Sequence, residues 1–459
     1  MGKARLNRAT GALACAMTAA ALLCAPVRAF ADPAADASTD TPATPGIDQA
    51  WAVHGQVTNI WQDHPNFTSP YQGTNSLPPK EHAAETTDAT AYLGVRLWQG
   101  AEFWVDPEIN QGIAPGDTLG VAGYVNGDGA KVGKLHPYFR VQRGFIRQTI
   151  NLGGETQKID PDQNVLGGAQ GADRIVITVG KFNTTDVFDN NTYAHDSKND
   201  FLNWSTIDTG SFDYAADAWG YSYGTAVEWY TGAWTFRGGV MALSRVPNGK
   251  DLTPMFGQFQ MLSEIEHRQK WHGREGKIRF GIFDSRGRMG SFGDAIALSN
   301  ATHMPADTAL VRKYSDRVGV YVNAEQPLTD TLGAFVRAGA DQANVEPYEY
   351  ADIDDTVEVG LSMSGDHWGR KDDTVAIAGV VNMISKIHET YLNAGGLGIL
   401  VGDGKLPHPG AEQIIEAYYS AAVIKQIHVT FDTQLIANPA YNTDRGPVAM
   451  FSVRFHGQF

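Results

Sequence analysis

Apolar residues recur at every second position in segments of about 8 to 11 residues, from Trp51 to the end of the chain. In one segment Val318, Val320 and Val322 alternate with Tyr321 and Asn323. This period of two is that of a β-strand whose two faces differ chemically. The same alternation occurs at 93–105, 278–282, 332–338, 357–363, 427–435 and 449–459. The pattern predicts an all-β protein with 14 to 16 such strands.

Two architectures use such strands: a soluble sandwich with its apolar face inward, and a membrane barrel with its apolar face outward. A length of about ten residues matches a tilted membrane crossing, whereas sandwich strands are nearer five or six. The last strand ends on Phe459, the kind of end that outer-membrane assembly machinery reads. Aromatic residues also cluster near predicted strand ends, as in interfacial girdles: Trp61, Trp98, Trp104, Trp229, Tyr230 and Trp234.

These features favour a closed antiparallel transmembrane β-barrel. Bacterial barrels have an even number of strands, so we expect about 16, with an inward-folded loop and a water-filled lumen. This domain is predicted to cover residues 51–459. An exported, soluble β-rich glycan-binding protein is the alternative of another class.

The amino terminus has the order of a secretory signal. Lys3, Arg5 and Arg8 precede an apolar run, and Ala29-Phe30-Ala31 provides a cleavage site, so residues 1–31 are predicted to be removed. Residues 32–50, rich in Ala, Pro, Thr and Asp, are predicted to form a flexible leader. The protein is therefore expected in the bacterial outer membrane.

Composition narrows the function. The chain has 51 acidic and 36 basic residues, and this negative charge argues against a nucleic-acid partner. The predicted signal carries four basic residues and both cysteines, so its removal takes the net charge from −15 to −19 and leaves no thiol. The 50 glycines and 10% aromatics exceed what a soluble surface needs, and we expect them on a lipid-facing wall.

Several long strings resemble the carbohydrate-selective (OprB-type) porin family. They are HPNFTSPYQGTNSL (64–77), VGKFNTTDVFDNNTYAHDSKNDFLNWS (179–205), DYAADAWGYSYG (213–224), HWGRKDDTVAIAGVVN (367–382), EAYYS (416–420) and IANPAYNTDRGPVAMFSVRFHGQF (436–459). The resemblance covers essentially the whole chain after the signal. It implies a sixteen-stranded outer-membrane barrel through which mono- or small oligosaccharides diffuse passively. The branch that the chain looks most like is sometimes labelled a manganese porin, so a divalent-cation channel is the second alternative.

A sugar channel needs a constriction in which aromatic faces and charged or amide side chains contact the solute. The predicted basic wall is Arg96, Arg140, Arg143 and Arg147. By parity Arg143 and Arg147 point one way and Arg140 the other, unless a bulge intervenes. Further pore-lining candidates are Glu102, Asp106, Lys181 and Arg237. For each of them an ordinary solvated wall position is the plainer interpretation.

The candidate inward loop runs from Asn183 to Trp204. Its candidate constriction residues are Asp186, Asp189, Tyr193, His195 and Asp196. The alternative is a structural loop whose carboxylates pair with the barrel wall and cap its own turns.

Enzyme motifs are absent: there is no HExxH zinc helix, no P-loop and no G-x-S-x-G elbow. We therefore expect no enzyme, no cofactor and no bound metal. The expected partners are permeating sugars, outer-membrane lipid and lipopolysaccharide, and the assembly machinery.

Overall fold

The computed structural model describes residues 48–81 and 83–459. Sixteen strands run through these residues, and each pairs antiparallel with the strands before and after it in sequence. The first strand also pairs with the last, so the sheet closes into a barrel. The strands are β1 (Trp51–Asp63), β2 (Ala84–Trp98), β3 (Ala101–Ile113), β4 (Lys134–Ile159), β5 (Gly168–Phe182), β6 (Ser222–Thr231), β7 (Trp234–Ala242), β8 (Phe259–Trp271), β9 (Arg274–Met289), β10 (Lys313–Pro327), β11 (Leu332–Asp341), β12 (Asp355–Gly365), β13 (Arg370–Met383), β14 (Glu412–Ile424), β15 (Ile427–Ala437) and β16 (Val448–Gln458). The predicted sixteen-stranded antiparallel barrel is confirmed.

The two faces of the wall are opposite to those of a soluble sandwich. In β12, Thr356 and Glu358 point inward and are buried, whereas Val357 and Val359 point outward and are 49% and 57% exposed. Polar side chains thus face the lumen and apolar side chains face the surroundings, as hydrocarbon around a barrel requires.

The two ends of the barrel differ. At one end the strands are joined by tight turns such as 99–100, 232–233 and 272–273, and we call this the turn end. At the other end, the loop end, the connections are long and include 114–133 and 183–221. Bacterial barrels keep short turns on the periplasmic side and long loops outside.

Exposed tryptophans mark the turn end. Trp51, Trp98, Trp229, Trp234 and Trp271 lie at the strand ends there and are 45% to 65% exposed. Aromatic rings at this depth suit the membrane interface. The expectation was wrong for two other members of the predicted girdle.

Trp104 and Tyr230 point into the lumen. Trp104 is fully buried and donates a hydrogen bond to the inward-facing Glu102. Tyr230 donates one to Glu228, also on the inner face. Both residues have even numbers, and even-numbered residues of β3 and β6 face inward. Proximity to a strand end was therefore not enough to assign these rings to the membrane interface.

Glycine is also used on the inner face of the barrel. A Cβ atom on Gly94 would lie 2.5 Å from the ring of Trp104, and one on Gly281 would lie 2.1 Å from Tyr321. Inward aromatic rings therefore rest on the bare backbone of the neighbouring strand. This corrects the expectation that the surplus of glycine belongs to the lipid-facing wall.

Short helices occupy the connections. The α-helices are α1 (Trp204–Ile207), α2 (Phe292–Thr302) and α3 (Lys386–Asn393), and the 3-10 helices are Pro115–Thr118, Thr184–Asp186, Pro254–Phe256, Thr308–Val311, Asp366–Trp368 and Pro439–Tyr441. At the loop end, Phe292 of α2 stacks on His388 of α3. No helix within the described part of the chain has the length and apolar character to cross a membrane.

The predicted signal peptide, residues 1–31, lies outside the described residues, as does the predicted leader up to residue 47.

Candidate functional site: the constriction of the lumen

The loop between β5 and β6, residues 183–221, crosses the lumen. Glu416 of β14, on the far wall, accepts a hydrogen bond from the backbone nitrogen of Leu202 at 2.5 Å. Arg337 of β11 donates to the carbonyl oxygens of Ala194 (2.6 Å) and Thr206 (2.7 Å). These contacts satisfy backbone groups that would otherwise be buried without partners. The loop is consequently a fixed internal wall.

Asp189 holds the middle of this loop in place. Its carboxylate accepts hydrogen bonds from the backbone and hydroxyl of Thr209 (2.6 and 3.0 Å) and from Asn323 (2.7 Å), and it lies 3.5 Å from Arg337. The backbone of Asp189 is left-handed, a conformation that Asp tolerates better than most residues. Its contacts are those of a structural anchor.

The lumen contains two chambers. The loop-side chamber has a volume of about 530 Å³ and the turn-side chamber about 1070 Å³. Five residues line both chambers and mark their boundary, which we take as the candidate constriction: Phe145, Arg147, Val165, Asp186 and Asn190. They come from β4, from the connection after β4 and from the inward loop, so the constriction is built from two sides.

An ion pair joins the inward loop to the barrel wall beside the constriction. Arg143 of β4 donates two hydrogen bonds to the carboxylate of Asp186, at 2.8 and 2.7 Å. Burial raises the pKa of Asp186, but the guanidinium outweighs it and holds the pKa below its usual range. Arg143 also lies 3.6 Å from Asp106 and 5.0 Å from the ring of Tyr221. This edge of the passage therefore presents charge and an aromatic face together.

A β-bulge puts the arginines of β4 on the same face. Asp106 is opposite Arg143, but the next residue, Pro107, is opposite Val141, so Gln142 is an extra residue in β4. Pro107 has no N–H for the ladder, and prolines within sheets are typical of such irregularities. Because of the bulge Arg140, whose partner is Glu108, points inward like Arg143 and Arg147.

Among the predicted pore-lining residues, Arg96, Glu102 and Arg237 line the turn-side chamber, and Arg147 lines both chambers. Arg237 is held by Glu228, Glu264 and Glu266, at 2.6 to 3.2 Å. Most of these charges are thus paired along the wall.

Three other predicted residues line neither chamber. Arg140 lies behind the lining residue Trp219, with its guanidinium 3.4 Å from the ring centre, and pairs with Asp217 at 3.1 Å. Lys181 pairs with the same carboxylate at 3.1 Å. Asp106 is fully buried and accepts a hydrogen bond from Asn164 at 3.0 Å. Arg140, Lys181 and Asp106 therefore lie behind the chamber lining and contact residues that line it.

The predicted loop residues divide in the same way. Asp186, His195 and Asp196 line the loop-side chamber, whereas Asp189 and Tyr193 do not. Tyr193 packs on the bare backbone of Gly333 in the wall, where a Cβ would lie 2.1 Å from its ring.

Two ionisable groups of the loop have raised pKa values. Burial raises the pKa of Asp200 to about 6, and the neighbouring Asp196 adds to the shift. Burial lowers the pKa of His195, but Asp208 outweighs it, so the pKa is raised overall. The Nδ1 of His195 and the Oδ1 of Asp208 are 3.7 Å apart. Asp200 therefore titrates nearer to neutral pH than an ordinary Asp would.

Several lining residues were not singled out from the sequence. Trp219 and Tyr221 belong to the segment 213–224, which in the sequence indicated only a resemblance to a porin family. Lys198 reaches Asp88 on the wall at 2.8 Å and also pairs with Asp128 of the β3–β4 loop. An aromatic-rich string directly before a strand is the signal that could have revealed Trp219 and Tyr221.

Within the described ranges, no group of three His, Cys, Asp or Glu side chains is arranged to hold a metal ion.

Comparison with known proteins supplies a family. The model of the family described as carbohydrate-selective porin, OprB family, matches residues 74–459. The high-pH structure of OprB from Pseudomonas putida is similar, with 16% identity over 89% of this chain and 94% of that chain and a TM-score of 0.67. The outer-membrane channel DcaP of Acinetobacter baumannii has 9% identity over 89% of this chain and 97% of its own, with a TM-score of 0.51. No curated protein sequence matches the chain.

Proposed function

The chain belongs to the carbohydrate-selective porin (OprB) family, and from this premise we propose that sugars are selected at the constriction between the two chambers. The protein is an outer-membrane carbohydrate porin. The family match favours this function over a divalent-cation channel or a soluble glycan-binding protein.

The observation that carries the proposal is the chemistry of the constriction. Arg147 and Asp186 supply hydrogen-bond donors and acceptors for hydroxyl groups. The half-buried rings of Trp219 and Tyr221 supply aromatic faces on the loop side. A pyranose has hydroxyls at its edge and C–H groups on its faces, so it can use both kinds of contact. Phe145 is 3% exposed and packs against Phe182, so it supports the wall from behind.

Passage through the lumen needs no chemical step. We propose that the protein is not an enzyme and that the charged lining exchanges hydrogen bonds with solutes as they diffuse. Outer-membrane lipid and lipopolysaccharide are the proposed neighbours of the apolar outer face. The proposed export signal is residues 1–31, removed in the mature protein.

Liposome swelling tests this function. Vesicles that contain the purified protein are expected to swell faster in glucose than in a zwitterion of similar size. Replacing Tyr221 with Ala should reduce this preference without abolishing swelling. Replacing Phe280, which points outward from β9 and is 50% exposed, is the matched control and should leave the preference unchanged. Equal swelling rates for sugar and zwitterion would contradict the proposal.

A further inference from the structure

The connection between β4 and β5 differs from the other connections at the turn end. β4 is 26 residues long, and residues 160–167 join it to β5, whereas the turns 99–100, 232–233 and 272–273 have two residues each. We call residues 160–167 the β4–β5 tip.

The tip folds back into the barrel. Asn164 donates a hydrogen bond to Asp106 at 3.0 Å, and Gln163 donates one to Gln56 at 3.1 Å. Asp106 and Gln56 are each the sixth residue of their strand, counted from the turn end. The tip therefore reaches past the barrel rim and into the lumen.

Once inside, the tip forms part of the constriction. Val165 lines both chambers, while Gln163 and Asn164 line the loop-side chamber and Leu166 the turn-side chamber. The backbone oxygen of Asn164 accepts a hydrogen bond from Arg147 at 2.7 Å. The boundary between the two chambers is thus built by the inward loop from one end and by the tip from the other.

The attachment of the tip is mostly polar. Gly167 exchanges hydrogen bonds with Gln49, at 2.9 and 2.8 Å, and accepts one from Arg96 at 3.1 Å. Leu166 is the fully buried apolar side chain of the tip, with 2% exposure. When the tip leaves the wall, each of these hydrogen bonds is exchanged for one with water, so the net stabilisation from each is small.

The stem that carries the tip has a built-in bend. The pairing of β4 with β5 shifts register on both sides of Gly153, and Gly153 and Gly154 have φ values of 134° and 76°. A Cβ atom on Gly153 would meet nothing within 4 Å. Residues 151–158 are all exposed, and they pair with β5. Few packed neighbours and exposed backbone hydrogen bonds characterise segments that move.

We propose that the β4–β5 tip is a movable wall of the constriction and sets the upper size limit of the sugars that pass. In the docked position it closes the gap opposite Asp186. It swings toward the turn end about Gly153 and Gly154, and this widens the passage. The proposal rests on the proposed function only for the choice of solutes.

Removing the tip tests this directly. In one variant Asn-Gly replaces residues 160–167, which leaves the pair Ile159 and Gly168 joined by a two-residue hairpin turn. We expect single-channel conductance to rise at least about twofold, and swelling in a trisaccharide relative to glucose to rise severalfold. The matched control replaces the turn 328–331 with Asn-Gly, and its conductance should stay at the wild-type value.

Two further variants keep the proposal testable if the shortened barrel does not fold. The first is Asn164→Gly: glycine accepts the φ of 58° at this position, and the change removes only the side-chain hydrogen bond to Asp106. This variant should increase the frequency of wide conductance states. The pair Gln163→Cys and Gln56→Cys, bridged by a bifunctional thiol reagent, should lock the channel in its narrow state. The bridged pair Gln56→Cys and Gln458→Cys, which joins neighbouring wall strands, is the control.

The proposal is wrong if the variant without the tip folds and keeps the wild-type conductance and trisaccharide exclusion. If that variant does not fold, the same result for Asn164→Gly would show that the tip does not limit solute size. Failure of glucose to enter wild-type vesicles would instead contradict the proposed function. The conductance comparison would still decide the role of the tip.

Discussion

Arg143 is the residue on which the charge balance of the constriction depends. It joins Asp186 of the inward loop by two hydrogen bonds and lies 3.6 Å from the buried Asp106. Bidentate pairing of this kind fixes geometry as well as charge, and a lysine could not reproduce it. One side chain therefore neutralises carboxylates on two separate elements.

Replacing Arg143 with Ala is expected to make the channel more cation-selective. A unit charge about 7 Å from an ion in water is worth about 0.6 kcal/mol. Its loss favours the cation and disfavours the anion by this amount each, so the cation-to-anion permeability ratio should rise about sevenfold. Reversal potentials in a KCl gradient measure this ratio. Arg143→Lys should stay near wild type because it keeps the charge. Arg286→Ala, which breaks an exposed ion pair with Asp316, should have no effect. An unchanged ratio in Arg143→Ala would remove this residue from the ion path.

At the scale of elements, strands were easier to predict from sequence than the lumen. The period of two places Val357 and Glu358 on opposite faces because side-chain direction in a strand depends only on parity. Parity does not locate a bulge, so the common direction of Arg140 and Arg143 remained open. The sequence also does not predict that the β4–β5 tip folds into the lumen, since DPDQNVLG has the composition of an ordinary turn. Contacts between segments far apart in the chain decide such features.

The inward loop is the element whose stability should depend on pH. The pKa of Asp200 is raised to about 6, so the folded loop binds this proton more tightly than the unfolded chain does. The stabilisation is complete below about pH 4 and is lost as pH rises through about 6. His195, with a raised pKa, acts in the same direction at higher pH. Asp186 and Asp196, with lowered pKa values, lose their contribution only below about pH 4.

We therefore expect open-channel current noise to be lower at pH 5 than at pH 7.5, because the loop is held more firmly. The difference in loop stability is on the order of 2 kcal/mol. Asp200→Asn keeps an oxygen for the backbone donors of His195 and Asp196 but cannot titrate, so it should reduce the pH dependence. Asp294→Asn, in an exposed pair with Lys313, is the control. Noise that grows on acidification to pH 5 would contradict this account.

For the whole molecule, closure depends on the seam between β1 and β16. Gly55 and Phe459 exchange both backbone hydrogen bonds, at 3.1 and 3.0 Å. The ring of Phe459 covers Gly55, where a Cβ would lie 2.5 Å from it. The last residue of the chain is thus part of the barrel wall.

Deleting Phe459 is expected to lower the yield of folded barrel severalfold, because it removes both the seam bonds and the aromatic end that assembly machinery is proposed to read. Phe459→Ala keeps the backbone bonds and separates the two causes: a yield as low as that of the deletion assigns the effect to the ring. Heat-modifiable migration on gels measures the folded fraction. Phe455→Ala, two outward positions earlier on the same strand, is the control. Wild-type yield in the deletion would contradict both causes.

The seam also determines the order in which the barrel can form. All other strand pairs join neighbours in sequence, whereas Thr58 and His456, bonded across the seam, are 398 residues apart. Closing a flexible loop of that length costs about 5 kcal/mol in chain entropy, against about 3 kcal/mol for a 40-residue hairpin. Hairpins can therefore zip together early and locally, and closure comes last. Until that final step the growing sheet has two open edges, which makes the time before closure the period of greatest risk of aggregation.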